Sequence, residues 1–273
     1  MSAYSISLTQ GMRANLISLQ LNTNLLTQTQ GRLATGKKVN SAMDDPVNYF
    51  AAQSYTTRAS DLASRKDGMS EGVNIVTAAS QGIDAINTLI TQAKGIATSA
   101  LATTDVIAKS SYATQFDTVM SQILSLAGDS SYKGTNLLNA GTIDVKFNES
   151  GSSKLTVTGF GATTLSQVSL AFTTTWAVGD AFINTSMNLI SSASSILRTK
   201  SATLASNLDV ITARQDFTNN IIDTLKTGAD NLTLADMNEE SANMLMLQTR
   251  QSLGTTSLSM ASQAAQAILR LFQ

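Results

Sequence analysis

The sequence has no cysteine and no histidine among its 273 residues. Without cysteine the chain cannot form a disulfide, a thiolate zinc site or a cysteine nucleophile. Without histidine it lacks the imidazole of Ser-His-Asp and Cys-His catalytic sites and of histidine-containing metal sites. Glycine-rich phosphate-binding loops of the Walker A and GxGxxG types are missing too. We therefore predict no catalytic residue, no metal site and no cofactor, and we predict that the chain is not an enzyme.

Charge is sparse and balanced, with 18 Lys and Arg residues against 19 Asp and Glu residues. Binding to a nucleic-acid backbone needs an excess of basic residues, so we predict no nucleic-acid partner. No apolar run approaches the roughly 20 residues of a membrane-spanning helix. The first residues, MSAYSISLTQGMRAN, lack the basic and apolar segments of a secretory signal peptide. We expect neither membrane insertion nor a cleavable signal.

A single proline leaves most of the chain free of ring-imposed breaks, and several long stretches show helical periodicity. In the first, apolar residues recur in steps of three and four, the repeat of a helix that packs against another helix. Thr23 and Gln30 fill the two missing positions, and Gly36 ends the helix. The apolar members of this repeat are Met12, Leu16, Leu19, Leu26 and Leu33.

The middle of the chain holds two more helical stripes, over residues 76–97 and 112–126, and then changes pattern. Between residues 132 and 180 apolar and polar residues alternate on both sides of a turn at 148–151, which predicts a β-hairpin. The alternating residues are Ile143, Val145 and Phe147 before the turn and Leu155 and Val157 after it, and Val168, Leu170 and Phe172 would add a further strand.

Helical periodicity returns from Ile183 to Leu225 and is interrupted at Gly228. The last segment carries two adjacent apolar stripes that contain many alanines, so a partner backbone could approach closely. The first stripe comprises Leu247, Leu258, Ala261, Ala265, Ile268 and Phe272, and the second comprises Met246, Leu253, Met260, Ala264, Ala267 and Leu271.

These patterns predict a mainly α-helical protein with a small β-hairpin in the middle. Helices of about 30 to 45 residues would be about 45 to 65 Å long, too long to wrap into one small domain. We therefore expect a coiled-coil-like rod in which the N- and C-terminal segments pair antiparallel. Such a pair leaves apolar surface in water, so we expect other copies of the chain to cover it. The residues that we predict to pack between subunits are Met12, Leu16, Leu19, Leu26, Leu33, Leu247, Leu253, Leu258, Met260, Ala261, Ala265, Ile268, Leu271 and Phe272.

Two carboxylate clusters could be catalytic pairs, but their sequence patterns favour helix N-termini. In Asp44-Asp45-Pro46, Asp45 is suited to cap a helix whose first residue is Pro46. Asp236 with Glu239 three positions later has the pattern of a capping box, which leaves Glu240 as a solvated neighbour or a contact to another subunit.

Several segments, taken in order, resemble the bacterial flagellins. Residues 32–46, RLATGKKVNSAMDDP, resemble the family's N-terminal motif, and residues 231–241, NLTLADMNEES, resemble its AD-x-x-EE helix start. Residues 247–258 and 261–272 continue that C-terminal pattern. Residues 132–138, YKGTNLL, resemble the aromatic-x-G-x-x-LL segment that leads into the family's core hairpin.

The resemblance implies a secreted, extracellular subunit of the flagellar filament, exported unfolded by the flagellar type III system. Its implied partners are other copies of itself, the export apparatus with its chaperone, the filament cap and the hook–filament junction proteins. Residues 1 to about 45 and 229–273 would form the inner domain. Residues 46–228 would form the core domain, with the hairpin region at about 137–180 and no large outer domain.

Some departures keep other readings open. Pro46 after the aspartate pair is common in hook–filament junction proteins, which remain the alternative within the flagellum. Gln92 and Lys94 stand where many flagellins carry arginines that an innate immune receptor recognises, which predicts weak recognition. Outside the flagellum, the alternatives are an exported membrane-active or effector protein and an enzyme built on carboxylates or on serine and lysine.

Overall fold

The computed structural model describes residues 10–161 and 176–271, with side chains up to residue 267 in the last helix. As the sequence predicts, the described part is mainly helical and contains one small antiparallel hairpin. The predicted extra strand at Val168, Leu170 and Phe172 lies outside the described residues. The long helices are α1 (Gln10–Thr35), α2 (Pro46–Leu101), α3 (Val106–Asp129), α4 (Asp180–Thr233) and α5 (Met237–Leu271), and the strands are β1 (Thr142–Lys146) and β2 (Lys154–Thr158).

Two helices are longer than expected: α2 has 56 residues and α4 has 54. The expected interruption at Gly228 is wrong, because α4 continues to Thr233. A glycine inside a helix costs only about 1 kcal/mol relative to alanine, which packing can offset. Here a side chain at position 228 would lie 3.4 Å from the ring of Tyr55, so the glycine permits a close contact.

Contacts divide the chain into two compact units. The first, which we call the terminal unit, comprises residues 1–57 and 225–273, and the second, the central unit, comprises residues 58–224. The terminal unit contains α1, α5 and the adjoining ends of α2 and α4. The central unit contains the rest of α2 and α4 together with α3 and the hairpin.

The core of the central unit is a continuous apolar cluster contributed by α2, α3, α4 and the hairpin. The indole of Trp176 is fully buried, its ring centroid lies 4.8 Å from that of Phe116, and its Nε1–H donates to Ser186 Oγ at 3.2 Å. Trp176 is therefore a packing residue of this core. Other fully buried members are Met69, Ile83, Ile86, Met120, Ile123, Ile183, Ile190 and Leu197.

The predicted hairpin is present, and its two strands pair with Ile143 opposite Val157 and Val145 opposite Leu155. Gly151 closes the turn at φ +71°, a backbone conformation that glycine adopts without a steric penalty. Val145 packs so closely on α2 that a side chain at Gly72 would meet its Cγ2 at 2.7 Å. The hairpin therefore belongs to the core.

Gly82 is a second point of close approach on α2. A Cβ at this position would lie 2.8 Å from the Ser130 Cβ and 2.7 Å from a Leu138 methyl group. The segment that follows α3 thus passes directly over the helix, and a larger residue at position 82 would displace it.

In the terminal unit α1 and α5 pack antiparallel, as expected. Asn15 contacts Ser257 near one end of the pair, and Arg32 contacts Glu240 near the other. The connecting segments are also paired, since the Lys38 N–H donates to the Thr233 carbonyl at 2.8 Å. Backbone hydrogen bonds therefore hold the end of α1 beside the link between α4 and α5.

Candidate subunit-contact surface

The inner face of the α1–α5 pair contains apolar residues from the first predicted stripe of each helix. On α1, Met12 is buried and Leu19, Leu26 and Leu33 are half-buried. On α5, Leu247 is buried, and Leu258, Ala261 and Ala265 are half-buried. Polar residues between these apolar positions add hydrogen bonds across the pair.

The polar positions of the α1 repeat are one residue away from where the sequence analysis put them. Thr23 and Gln30 are exposed, whereas Asn22 and Thr29 are buried. The amide nitrogen of Asn22 donates to the Leu247 carbonyl at 2.9 Å and to Gln251 Oε1 at 3.0 Å. A buried amide is stable only with such partners, so the seam is part apolar and part hydrogen-bonded.

Gly254 of α5 brings the two helices together at the middle of the pair. A Cβ at this position would collide with a terminal methyl group of Leu19. Beside this contact lies an open groove of about 510 Å³, whose lining includes Leu21 and Leu25 of α1 and Leu253 of α5.

A second apolar face points away from the seam into solvent. We call it the outer apolar surface. The second stripe of α5 lies here, with Leu253 66% and Met260 61% exposed. Leu16, which the sequence analysis placed among the packing residues of α1, is also exposed. Leu16 lies on a different side of α1 from Leu21 and Leu25, so it is not part of this surface. The described members of the surface are Ile17, Leu21 and Leu25 on α1 and Leu245, Met246, Leu253 and Met260 on α5.

Part of this surface was missed by the sequence analysis. Ile17, Leu21 and Leu25 follow one another at steps of four, which is a helical spacing, but they were overlooked beside the stronger seam repeat. The side chains of Ile268 and Leu271, and Phe272 as a whole, lie outside the described part of the chain.

The aspartate pair before α2 makes hydrogen bonds of the kind used at helix starts and turns. The Asp45 carboxylate accepts from the Asn48 N–H at 3.0 Å, in front of a helix that begins at Pro46. The Asp44 carboxylate accepts from the backbone N–H groups of Asn40 and Ser41 at 3.0 and 2.9 Å. These N–H donors hold the pKa of both carboxyl groups below the ordinary value, so both are ionised at neutral pH.

The start of α5 carries three carboxylates in different settings. Asp236 accepts from the N–H of Asn238 at 2.8 Å and from that of Glu239 at 3.3 Å. The Glu239 side chain is exposed, and among the hydrogen bonds of the described residues none returns from the Asp236 N–H to it. Half of the expected capping box is therefore formed.

Glu240 is buried, so the expectation that it is a solvated neighbour is wrong. Its Oε1 accepts from Arg32 Nη1 at 2.9 Å, and its side chain is only 9% exposed. Within the described part of the structure, its other oxygen, Oε2, has no hydrogen-bond partner. The sequence did not reveal this ion pair, because the two residues lie more than 200 positions apart and meet only when α1 and α5 pair.

Neither a metal site nor a membrane span is found in the described residues. They hold no group of three carboxylates arranged to bind an ion, and their helices lack an apolar stretch long enough to cross a bilayer.

Comparisons with known proteins agree on one family. The model of the bacterial flagellin N-terminal helical region matches residues 6–142. Flagellin FljM of Caulobacter vibrioides is 29% identical and flagellin FljN of the same organism 30% identical, each aligned over all of both chains. A flagellin of Brucella melitensis is 30% identical over 91% of this chain and 92% of its own length.

Proposed function

The chain belongs to the bacterial flagellins, and we propose that it assembles into the flagellar filament by burying the outer apolar surface of its terminal helices against other copies. Membership of the family makes it a structural protein of the extracellular flagellar filament. The prediction that it is not an enzyme is thereby confirmed.

The exposure of the outer apolar surface is the observation that carries the proposal. A two-helix pair has one seam, so each helix can bury only one stripe within the pair. Both α1 and α5 carry a second apolar stripe, and several of its leucines and methionines are about half to two-thirds exposed. Exposed apolar residues repeated along a helix in this way are typical of a protein–protein contact.

In a filament, the partner that covers the outer apolar surface is another copy of the same chain. Repeated contacts between unlike faces of identical subunits produce an open helical polymer when the rotation does not close. We propose residues 1–45 and 229–273 as the inner domain that carries these contacts and residues 46–228 as the core domain.

The remaining partners follow from the same proposal. A subunit that reaches the filament tip is exported unfolded through the flagellar type III apparatus, with a chaperone before export and the cap and junction proteins after it. The absence of cysteine is compatible with such a route, because no disulfide can trap the chain in transit.

Seeded polymerisation tests the proposal. Purified full-length chain is added to short filament seeds and examined by electron microscopy, beside a chain that lacks residues 229–273. We expect long uniform filaments from the full chain and none from the truncated one. Because truncation could disturb folding, Leu253→Gln is examined as well, since it leaves α5 in place.

Two outcomes would contradict the proposal. Elongation by the truncated chain at the full-length rate would mean that the terminal helices are not required. A full-length chain that binds filament ends without elongating them would instead favour the hook–filament junction role.

A further inference from the structure

Methionine thioethers are the only oxidisable sulfur atoms in the chain, which has ten methionines and no cysteine. A thioether accepts one oxygen atom from a two-electron oxidant and becomes a sulfoxide, which is polar where the thioether is apolar. The effect of this reaction on the protein depends on where each methionine lies.

The described methionines occupy buried and exposed positions. Those that the core or the α1–α5 seam buries are Met12, Met69 and Met120. The exposed ones are Met43, Met237, Met246 and Met260. An oxidant in solution can therefore reach the second group while the protein stays folded.

Two of the exposed methionines flank Leu253 on the outer apolar surface. Met246, Leu253 and Met260 follow one another at steps of seven, and seven residues fall only about 20° short of two full helical turns. The three side chains therefore form one line of about 21 Å along α5. Their exposed fractions are 44%, 66% and 61%.

The other two exposed methionines lie elsewhere and provide an internal comparison. Met237 is 45% exposed, almost the same as Met246, but it precedes Met246 by nine residues and so lies on the opposite side of α5. Met43 is 94% exposed in the segment before α2. Exposure to an oxidant is thus shared by all four, whereas membership of the outer apolar surface belongs to Met246 and Met260.

A sulfoxide on the outer apolar surface would oppose its burial. The S=O oxygen is a hydrogen-bond acceptor that water satisfies in the monomer. The side chains of the outer apolar surface are those of leucine, isoleucine and methionine, which offer no N–H or O–H donor. A polar group that loses water without gaining a partner costs free energy, so a second copy would bind the oxidised surface more weakly.

We propose that Met246 and Met260 form an oxidation site through which a peroxide blocks assembly of the chain. This inference rests on the proposed function, since it assumes that other copies cover the outer apolar surface. At each sulfur the peroxide O–O bond breaks, one oxygen forms the S–O bond, and hydrogen peroxide leaves as water. The sulfur loses two electrons and the peroxide gains them.

The block is reversible, because no bond of the chain is broken. Methionine sulfoxide reductases return the sulfoxide to the thioether, one enzyme for each sulfoxide epimer. In that reaction two thiols are oxidised to a disulfide and the oxygen leaves as water. The outer apolar surface then regains its original chemistry.

Peroxide treatment of the full-length monomer tests the proposal. The reaction is stopped with excess free methionine, peptide mass spectrometry measures the sulfoxide at each position, and seeded elongation gives the critical concentration. We expect oxidation at Met246 and Met260, none at the buried Met69 and Met120, and a rise in critical concentration of at least about tenfold. Both reductases with dithiothreitol are expected to restore the untreated value within about twofold.

Two pairs of substitutions identify the responsible sulfur atoms. Met246→Leu with Met260→Leu keeps apolar side chains of similar volume and removes both sulfurs from the outer apolar surface. Peroxide is expected to change its critical concentration by less than about twofold. Met43→Leu with Met237→Leu is the matched control, and we expect it to remain as sensitive to peroxide as the unsubstituted chain.

Oxidation of assembled filaments gives a second readout that needs no substitution. If other copies cover the outer apolar surface, Met246 and Met260 of the unsubstituted chain should be oxidised at least about tenfold more slowly in filaments than in monomers. This comparison decides the matter even if the leucine pair itself alters assembly.

The outcomes separate the two claims. If the untreated chain elongates seeds, the filament role stands. The oxidation site is then refuted by normal elongation of the oxidised chain, by protection from the Met43 and Met237 substitutions instead, or by equal oxidation rates in filament and monomer. If the untreated, unsubstituted chain does not elongate seeds at all, the proposed function itself fails.

Discussion

Leu247 and Leu253 of α5 provide a matched pair that separates folding from assembly. Leu247 is 5% exposed and faces α1, whereas Leu253 is 66% exposed on the outer apolar surface. Full burial of a leucine contributes about 2 kcal/mol, so about two-thirds of that, roughly 1.3 kcal/mol, is still available to Leu253 in a contact with another copy. Leu253→Gln is therefore expected to raise the critical concentration about five- to tenfold.

The same substitution at position 247 is expected to act on the monomer. It would place an amide in the seam between α1 and α5 and remove apolar contacts, at a cost of about 2–4 kcal/mol. Urea denaturation followed by circular dichroism measures the stability of the monomer, and seeded elongation measures the critical concentration for assembly. Leu253→Gln should leave the denaturation midpoint nearly unchanged. Equal loss of monomer stability in both variants, or normal elongation by Leu253→Gln, would refute the assignment of the two faces.

Three further predictions concern stability, each measurable by denaturant or thermal unfolding. Gly82→Ala is expected to destabilise the central unit by about 1–3 kcal/mol because the added methyl group meets the segment after α3. Gly95→Ala, with open space around it, should be neutral or stabilising by up to about 1 kcal/mol. If Gly95→Ala were the more destabilising of the two, the packing described for α2 would be contradicted. Glu240→Ala should lower the free energy of unfolding by about 2–3 kcal/mol, which is less than the 3–5 kcal/mol of a fully buried pair because Arg32 is 32% exposed. A change within about 0.5 kcal/mol would show that the ion pair contributes little to stability. The Asp45 carboxyl has a lowered pKa, so its stabilising effect is present above the unfolded-state pKa and is lost as the pH falls through the lower folded-state value. Asp45→Asn should therefore reduce the loss of folding stability below about pH 4. An unchanged dependence of stability on pH would contradict this.

Much of the fold follows from residue spacing. Features that depend on neighbours within a few residues can be predicted from the sequence alone. They include the α1 repeat, the alternation in the hairpin and Gly36 at the end of α1. Gly36 has a φ of +70°, and its N–H donates to the Arg32 carbonyl at 2.8 Å, as expected of a glycine that ends a helix.

The features that were missed depend on partners distant in the chain. Apolar spacing alone could not decide whether Thr23 or Asn22 lies in the seam, because the answer depends on the Leu247 carbonyl and the Gln251 side chain of α5. The burial of Glu240 likewise depends on Arg32. The spacing of Ile17, Leu21 and Leu25 did indicate a second apolar stripe on α1. It was missed because only one contact face was assumed for that helix.

Thiol labelling at Leu21 tests the central claim most directly. Leu21 is 59% exposed on the outer apolar surface of α1, and Leu21→Cys would carry the only thiol in the chain. Labelling with a maleimide is compared between monomer and assembled filament at equal protein concentration. We expect rapid labelling of the monomer and strong protection in the filament. Equal labelling rates in the two states would mean that this surface stays in solvent and that other residues join the subunits.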